Sequence, residues 1–283
     1  MSSTSPRSTL FSTELEGDGP TVVFLHGLFG QGKNWTSIAK ALAPAARTLL
    51  VDLPNHGRSG WTDEFSYPEM AAAVADHLDQ RSAAAAEPGP YALVGHSMGG
   101  KVAMALALSR PDLVHRLCVV DVSPVRTAQL SSFDPFVRGM RAVDLAHLAD
   151  RGQADRALAD NVPDPTIRGF LLQNLRRDAG GPYPWRWQMN LDLLGDHLAE
   201  LGDWPDLDAA APYPGPVLWL AGARSAYVQP AFVPAMRALF PRVQLVRVKD
   251  AGHWVHSDQP RVFVAALRQF LHLPTPPSGK VEP

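Results

Sequence analysis

The sequence predicts an α/β fold, a mostly parallel sheet with helices on both faces and an inserted helical cap. Three observations predict it. Residues 21–25, 48–51, 91–94, 117–120 and 216–220 are short, almost continuously apolar runs, the pattern of strands buried on both faces. Helical periodicity separates most of them, as in successive βαβ units. The alternation then stops between about 125 and 212, where short helical patterns, loop signals and many aromatics replace it.

Taken in order, residues 9–16 alternate weakly and suit an edge strand, and residues 21–25 form a buried strand ending at His26-Gly27. Asn34 can cap a helix through Trp35, Ile38 and Leu42. Residues 48–51 are the next strand, closed by Asp52 and the turn-rich run 54–60. Ser66, followed by Pro68, opens a helix to about Arg81. Strand 91–94 feeds Gly95-His96-Ser97-Met98-Gly99-Gly100 and a helix over 101–108, and strand 117–120 ends at Asp121. Beyond the interruption come strand 216–220, a helix near 231–240, a strand starting at 243–246 and a final helix over about 261–271. The expected organisation is a core over 1–124, a cap over 125–212, a second core segment over 213–273 and a loose tail over 274–283, with residues 1–7 loose as well.

Composition excludes several classes. At 283 residues, with 46% hydrophobic and 19% charged, the chain has ample material for a core. A formal charge of −2 offers no basic surface for nucleic acid. Cys118 is the single cysteine, in an apolar run, which leaves no disulfide framework and no cysteine metal site. No stretch approaches a membrane span, and the polar residues 1–9 lack an apolar signal region, so a cytoplasmic location is expected. Oligomeric state has no readable signal.

Gly95-His96-Ser97-Met98-Gly99 is the most informative stretch. G-x-S-x-G between a strand and a helix is the context of a nucleophile elbow. The serine occupies a strained turn, so the residues two before and two after it cannot carry bulk. Its hydroxyl then sits at a helix N-terminus, where developing negative charge is favoured. Residues 95–101 also read G-x-x-x-x-G-K, a phosphate-loop pattern, but the position that would hold magnesium is Val102. Lys101 is then read as a lysine on the helix surface.

An activated serine needs a base, an orienting acid and an oxyanion hole. The base should come late, in the loop after the last strand. His253, in Asp250-Ala251-Gly252-His253-Trp254, fills that place, with His256 as its rival. His96 reads as an elbow-packing residue. The oxyanion donors should be the backbone N–H groups of Met98 and of Leu28, with Phe29 as second choice. The acid commonly follows the strand at 217–220, yet Ser225 stands where an Asp is expected, and no Asp or Glu occurs between Ala221 and Arg247. Asp121, ending the neighbouring strand, is the natural replacement, and Asp250 a cramped rival. Ser225 is left as a histidine-supporting hydrogen-bonding residue.

With these residues the chain resembles the α/β-hydrolase superfamily from about Thr21 to Leu271. His26-Gly27-Leu28-Phe29-Gly30, Asn55-His56-Gly57-Arg58-Ser59, Val120-Asp121-Val122-Ser123-Pro124 and Gly252-His253-Trp254-Val255-His256 are sharper than the generic fold. Together with the elbow they resemble the small bacterial esterase and thioesterase branch related to the mitochondrial α/β-hydrolase-domain-containing protein eleven. The resemblance implies hydrolysis of short acyl esters, and in some members of acyl thioesters. It also implies Asp121 as the acid, with Ser225 near the histidine. Pro182-Tyr183-Pro184 looks like a local extension of the cap.

The expected chemistry is two-step acyl transfer by Ser97, His253 and Asp121 on a small acyl ester, with no metal or organic cofactor. Phe133, Phe136, Met140, Trp185, Trp187 and Met189 give the cap an apolar repertoire. Phe29, Trp185, Trp187, Met189 and Trp254 are the candidate substrate contacts. A hydrolase-fold ligand receptor with vestigial catalysis, an acyltransferase and a cofactor-free C–C bond hydrolase stay open on the same scaffold.

Overall fold

The structure is a computed structural model that describes residues 8–84, 89–126, 133–207 and 210–274. The termini expected to be loose lie outside the described residues, apart from Pro274.

The strands are β1 (Phe11–Leu15), β2 (Thr21–Leu25), β3 (Arg47–Asp52), β4 (Tyr91–His96), β5 (Val114–Val120), β6 (Leu175–Arg177), β7 (Trp185–Trp187), β8 (Val217–Gly222) and β9 (Val243–Val248). Seven of them form one sheet in the order β1-β3-β2-β4-β5-β8-β9. Within this sheet, among the described residues, β1 alone runs antiparallel, as an edge strand paired with β3. β4 lies at the centre between β2 and β5. The strand order reverses there, so the C-terminal ends of β2, β4, β5 and β8 open onto one crevice, the usual place for a site in such sheets.

Side chains alternate along the inner strands, and both faces are dry. Val23, Leu25, Leu49, Leu93, Leu117 and Val119 face α2 (Tyr67–Ala84) and α3 (Met98–Ser109). Val22, Phe24, Leu50, Val94, Cys118 and Val120 belong to the opposite core, which α1 (Thr36–Leu42) and the C-terminal helix help to close. The Cys118 thiol is buried there, and desolvation raises its pKa. Ser66 caps α2 as read from the sequence, accepting a hydrogen bond from the Glu69 N–H at 3.3 Å.

Between β5 and β8 the chain builds the cap from α4 (Asp134–Arg141), α5 (Arg151–Leu158), α6 (Pro165–Leu172), α7 (Leu191–Asp196) and α8 (Leu198–Gly202). β6 and β7 add a two-stranded antiparallel ribbon that periodicity did not reveal. Pro182-Tyr183-Pro184 lies in its connection, with Tyr183 half exposed. The chain then returns through β8, α9 (Val233–Leu239), β9, α10 (Val255–Asp258) and α11 (Pro260–Phe270). Among the described residues no helix is long and apolar enough to cross a membrane.

Two local expectations change. Asn34 does not cap α1; it sits within a 3-10 turn, Gly32–Trp35, and its Oδ1 accepts from the Gln31 N–H at 2.7 Å. Lys101 is not on the surface. It is 3% exposed, because the cap covers that side of α3.

Candidate active site

The centre of the crevice is the turn from β4 into α3. Ser97 has φ 52° and ψ −119°, a conformation that L residues rarely adopt. Close packing explains the flanking glycines. A Cβ on Gly95 would lie 2.3 Å from the Gly99 carbonyl oxygen, and one on Gly99 would lie 2.5 Å from the Leu25 and His26 carbonyl oxygens. The turn is closed by Gly100 N–H and Lys101 N–H donating to the Ser97 carbonyl.

His253 reaches the same crevice from the loop after β9. Its Nδ1–H donates to Asp121 Oδ2 at 2.9 Å, which leaves Nε2 unprotonated in the neutral ring. Asp121 directly follows β5 with φ 51° and is fully buried. Its carboxylate has further donors to offset burial: Gly222 N–H to Oδ1 at 2.9 Å, and the Ser225 hydroxyl to Oδ2. Ser225 therefore bonds to the carboxylate, not to the imidazole as the sequence reading had it. Asp250 is exposed and has no hydrogen bond to His253 among the described residues. The rival His256 packs against Trp35 at 4.3 Å between ring centroids, and its Nδ1 has no hydrogen-bond partner among the described residues.

Two features of the His253 setting escaped the sequence reading. Tyr227 stacks on the imidazole at 4.1 Å and 22°. From the β4 side, His96 Nε2–H donates to the His253 carbonyl at 2.9 Å. Burial holds the His96 pKa well below its ordinary value, with the neighbouring His253 and His256 adding to the shift, so it bonds as a neutral ring.

The loop after β2 is held by two further histidines, which the sequence reading quoted within motifs without giving them a role. His26 Nε2 accepts from the Leu53 N–H at 2.9 Å, and its Nδ1–H donates to the Gly27 carbonyl at 2.8 Å. His56 Nε2 accepts from the Phe29 N–H at 3.2 Å, and its Nδ1–H donates to the Pro54 carbonyl at 2.9 Å. Each ring thus uses one nitrogen as donor and the other as acceptor, which only the neutral form can do. Desolvation lowers the His26 pKa to about 4 and that of His56 to about 3.

These hydrogen bonds distinguish the two oxyanion candidates. The Phe29 N–H is occupied by His56, whereas the N–H groups of Leu28 and Met98 have no acceptor among the described residues. From the cap, Asn174 Nδ2 donates to the Phe29 carbonyl at 2.8 Å, tying the cap to this loop.

Two small cavities meet at Ser97 and Leu28. One, of about 30 Å³, is also lined by His253, Phe133, Phe170 and Trp254. The other, of about 10 Å³, is also lined by Met98, Lys101, Leu201 and Tyr227. Of the candidate substrate contacts, only Trp254 lines either cavity. Phe29 is fully buried beneath the loop beside Phe133. Trp185, Trp187 and Met189 fill the cap's own core, where the two indoles donate to the Leu148 and Met140 carbonyls. Phe133 and Phe170 take the lining role instead. Among the described residues no cluster of His, Cys, Asp and Glu is placed to hold a metal ion.

The alpha/beta hydrolase family model matches residues 22–266. The chain belongs to the alpha/beta hydrolase family. It is 44% identical over 265 residues to the sn-1-specific diacylglycerol lipase ABHD11 of Mus musculus, covering 91% of this chain and 83% of that one. It is 29% identical to esterase YbfF of Escherichia coli, covering 89% and 92%. Among solved structures, a marine microorganism esterase superposes with a TM-score of 0.86 at 29% identity, covering 93% of this hydrolase and 99% of that chain. The branch suggested by the sequence motifs, that of ABHD11 and small bacterial esterases, is the one to which this hydrolase is similar.

Proposed function

We propose that the protein is a serine carboxylic-ester hydrolase acting on short acyl esters, with acyl thioesters as a related class. The observation that carries this reading is the hydrogen bond from His253 Nδ1–H to Asp121, beside a serine held in a strained elbow. Ser97 Oγ attacks the ester carbonyl carbon while His253 Nε2 takes its proton. The Leu28 and Met98 N–H groups stabilise the oxyanion. Asp121 stabilises the imidazolium through Nδ1. Collapse expels the alcohol, or thiol, which leaves with the proton from His253. Water then gives a proton to Nε2 and attacks the acyl-enzyme carbonyl, and as the acyl C–O bond breaks Ser97 Oγ takes that proton back from His253, releasing the acid. Small cavities on either side of Ser97 favour short chains. The names of the lipase and esterase relatives support ester chemistry.

The test is hydrolysis of 4-nitrophenyl acetate and butyrate. Ser97→Ala should remove turnover by about 10³-fold or more while leaving the melting transition in place. Asp121→Asn should lower kcat by about 10²-fold or more, because it disturbs the His253 tautomer. Full activity in Asp121→Asn would sink the acid assignment. Ligand-dependent stabilisation without turnover would favour the receptor reading. Acyl transfer to an added alcohol in preference to water would favour an acyltransferase.

A further inference from the structure

Lys101 lies one helical turn beyond Ser97 on α3, on the same side of the helix. The nine-tenths-buried ammonium has no carboxylate within hydrogen-bonding distance among the described residues; instead Nζ donates to three consecutive carbonyls, Leu201 at 3.1 Å, Gly202 at 2.8 Å and Asp203 at 2.6 Å. These are the carbonyls that end α8, where the cap meets the core. Three acceptors match the three N–H bonds of an ammonium, whereas a neutral amine would turn its lone pair onto one of them. Burial pushes the pKa down to about 7, and Asp203 opposes that shift. Tyr67 reinforces the contact, since its hydroxyl also donates to the Leu201 carbonyl at 2.7 Å.

The clamp closes one of the two cavities. The leaving group takes its proton from His253, so it must lie on the side of Ser97 that His253 lines, the larger cavity. The acyl chain then enters the smaller one, which His253 does not line and which Leu28, Ser97 and Met98 open. The buried Leu201 and Lys101 form part of its wall. Its volume, about 10 Å³, is no more than one water requires. A longer chain can enter only if the end of α8 moves.

We propose that Lys101 sets the acyl chain length this hydrolase accepts, by clamping the end of α8 against the acyl side of Ser97. The proposal rests on the ester-hydrolase reading. Lys101 acts here as a positioning residue, and Leu201 is the group it positions.

The test compares kcat/KM for 4-nitrophenyl esters of acetate, butyrate and octanoate in the wild type, Lys101→Met and Leu201→Ala. Lys101→Met keeps an unbranched side chain but removes the donors. Leu201→Ala keeps the clamp but shortens the wall. In each variant the octanoate-to-acetate ratio should rise by about tenfold or more, the scale on which a pocket discriminates methylenes. A merely structural lysine would lower all three esters in parallel. That result, an unchanged ratio in folded Lys101→Met, overturns the proposal. If Lys101→Met fails to fold, Leu201→Ala decides, and an unchanged ratio there overturns it as well. Wild-type protein that hydrolyses none of the esters overturns the ester-hydrolase reading itself. Wild-type turnover with unchanged ratios in the variants overturns only the role of Lys101.

Discussion

Five histidines crowd the crevice around Ser97, and they divide into two kinds. His253 gives its Nδ1–H to a carboxylate and keeps Nε2 free for a proton. His26 and His56 spend both ring nitrogens on backbone groups, and His96 donates to the His253 carbonyl. His256 packs on Trp35 with no carboxylate partner among the described residues. All are sheltered, so burial alone does not separate them. The partner on the second nitrogen does. A carboxylate supports the imidazolium that base catalysis creates, and in His26 and His56 a backbone N–H donating to the other nitrogen forbids it.

The largest expected effect breaks this division directly. His253→Ala should lower kcat on a short ester by about 10³-fold or more, near the loss for Ser97→Ala. His256→Phe keeps the aromatic packing on Trp35 and should lower kcat by less than about tenfold. Steady-state kinetics on both variants settles the assignment. A larger loss from His256→Phe would transfer the base role to His256.

The division was only partly legible in the sequence. The elbow was, because its sterics admit almost nothing but glycine at Gly95 and Gly99. The contact between Asp121 and His253 was reachable because the stretch from Ala221 to Arg247 lacks a carboxylate and parallel strands end side by side. The loop-holding histidines were not, since a His in a motif reads alike whether its nitrogens meet backbone or carboxylate. Lys101 failed for another reason. Helical periodicity reports which side a residue faces, but the cap that buries that side is distant in sequence. The indoles Trp185 and Trp187 failed likewise: apolar patterning marks them as buried without saying that the cap's own core takes them.

The neutral set should also show itself in stability. The His26 pKa is about 4 and that of His56 about 3 in the folded protein, against about 6.5 in the unfolded chain. Between those values the unfolded chain binds protons that the folded one refuses. Stability from these groups is therefore complete above about pH 6.5 and is lost as pH falls toward 4 and then 3. Urea midpoints should fall across that window, each histidine contributing a slope of up to about 1.4 kcal/mol per pH unit. His56→Gln places an amide oxygen near the Phe29 N–H without a titrating ring, so its slope should be shallower. An equal slope in wild type and variant would show that His56 does not contribute.

The smallest effect concerns the support behind His253. Ser225 donates to the same Asp121 oxygen that His253 uses, while Gly222 N–H serves the other. Ser225→Ala removes one donor of three. Two consequences oppose each other. The carboxylate shares its charge with one donor fewer and supports the imidazolium better, yet it loses part of what fixes its orientation. A single such bond is worth about 1–3 kcal/mol, and the opposition reduces what reaches the rate. kcat should therefore fall by less than about tenfold. A loss beyond about 10²-fold would show that Ser225 chiefly holds the carboxylate in place. The carboxylate partner would then distinguish His253 from its four neighbours only while Ser225 orients it.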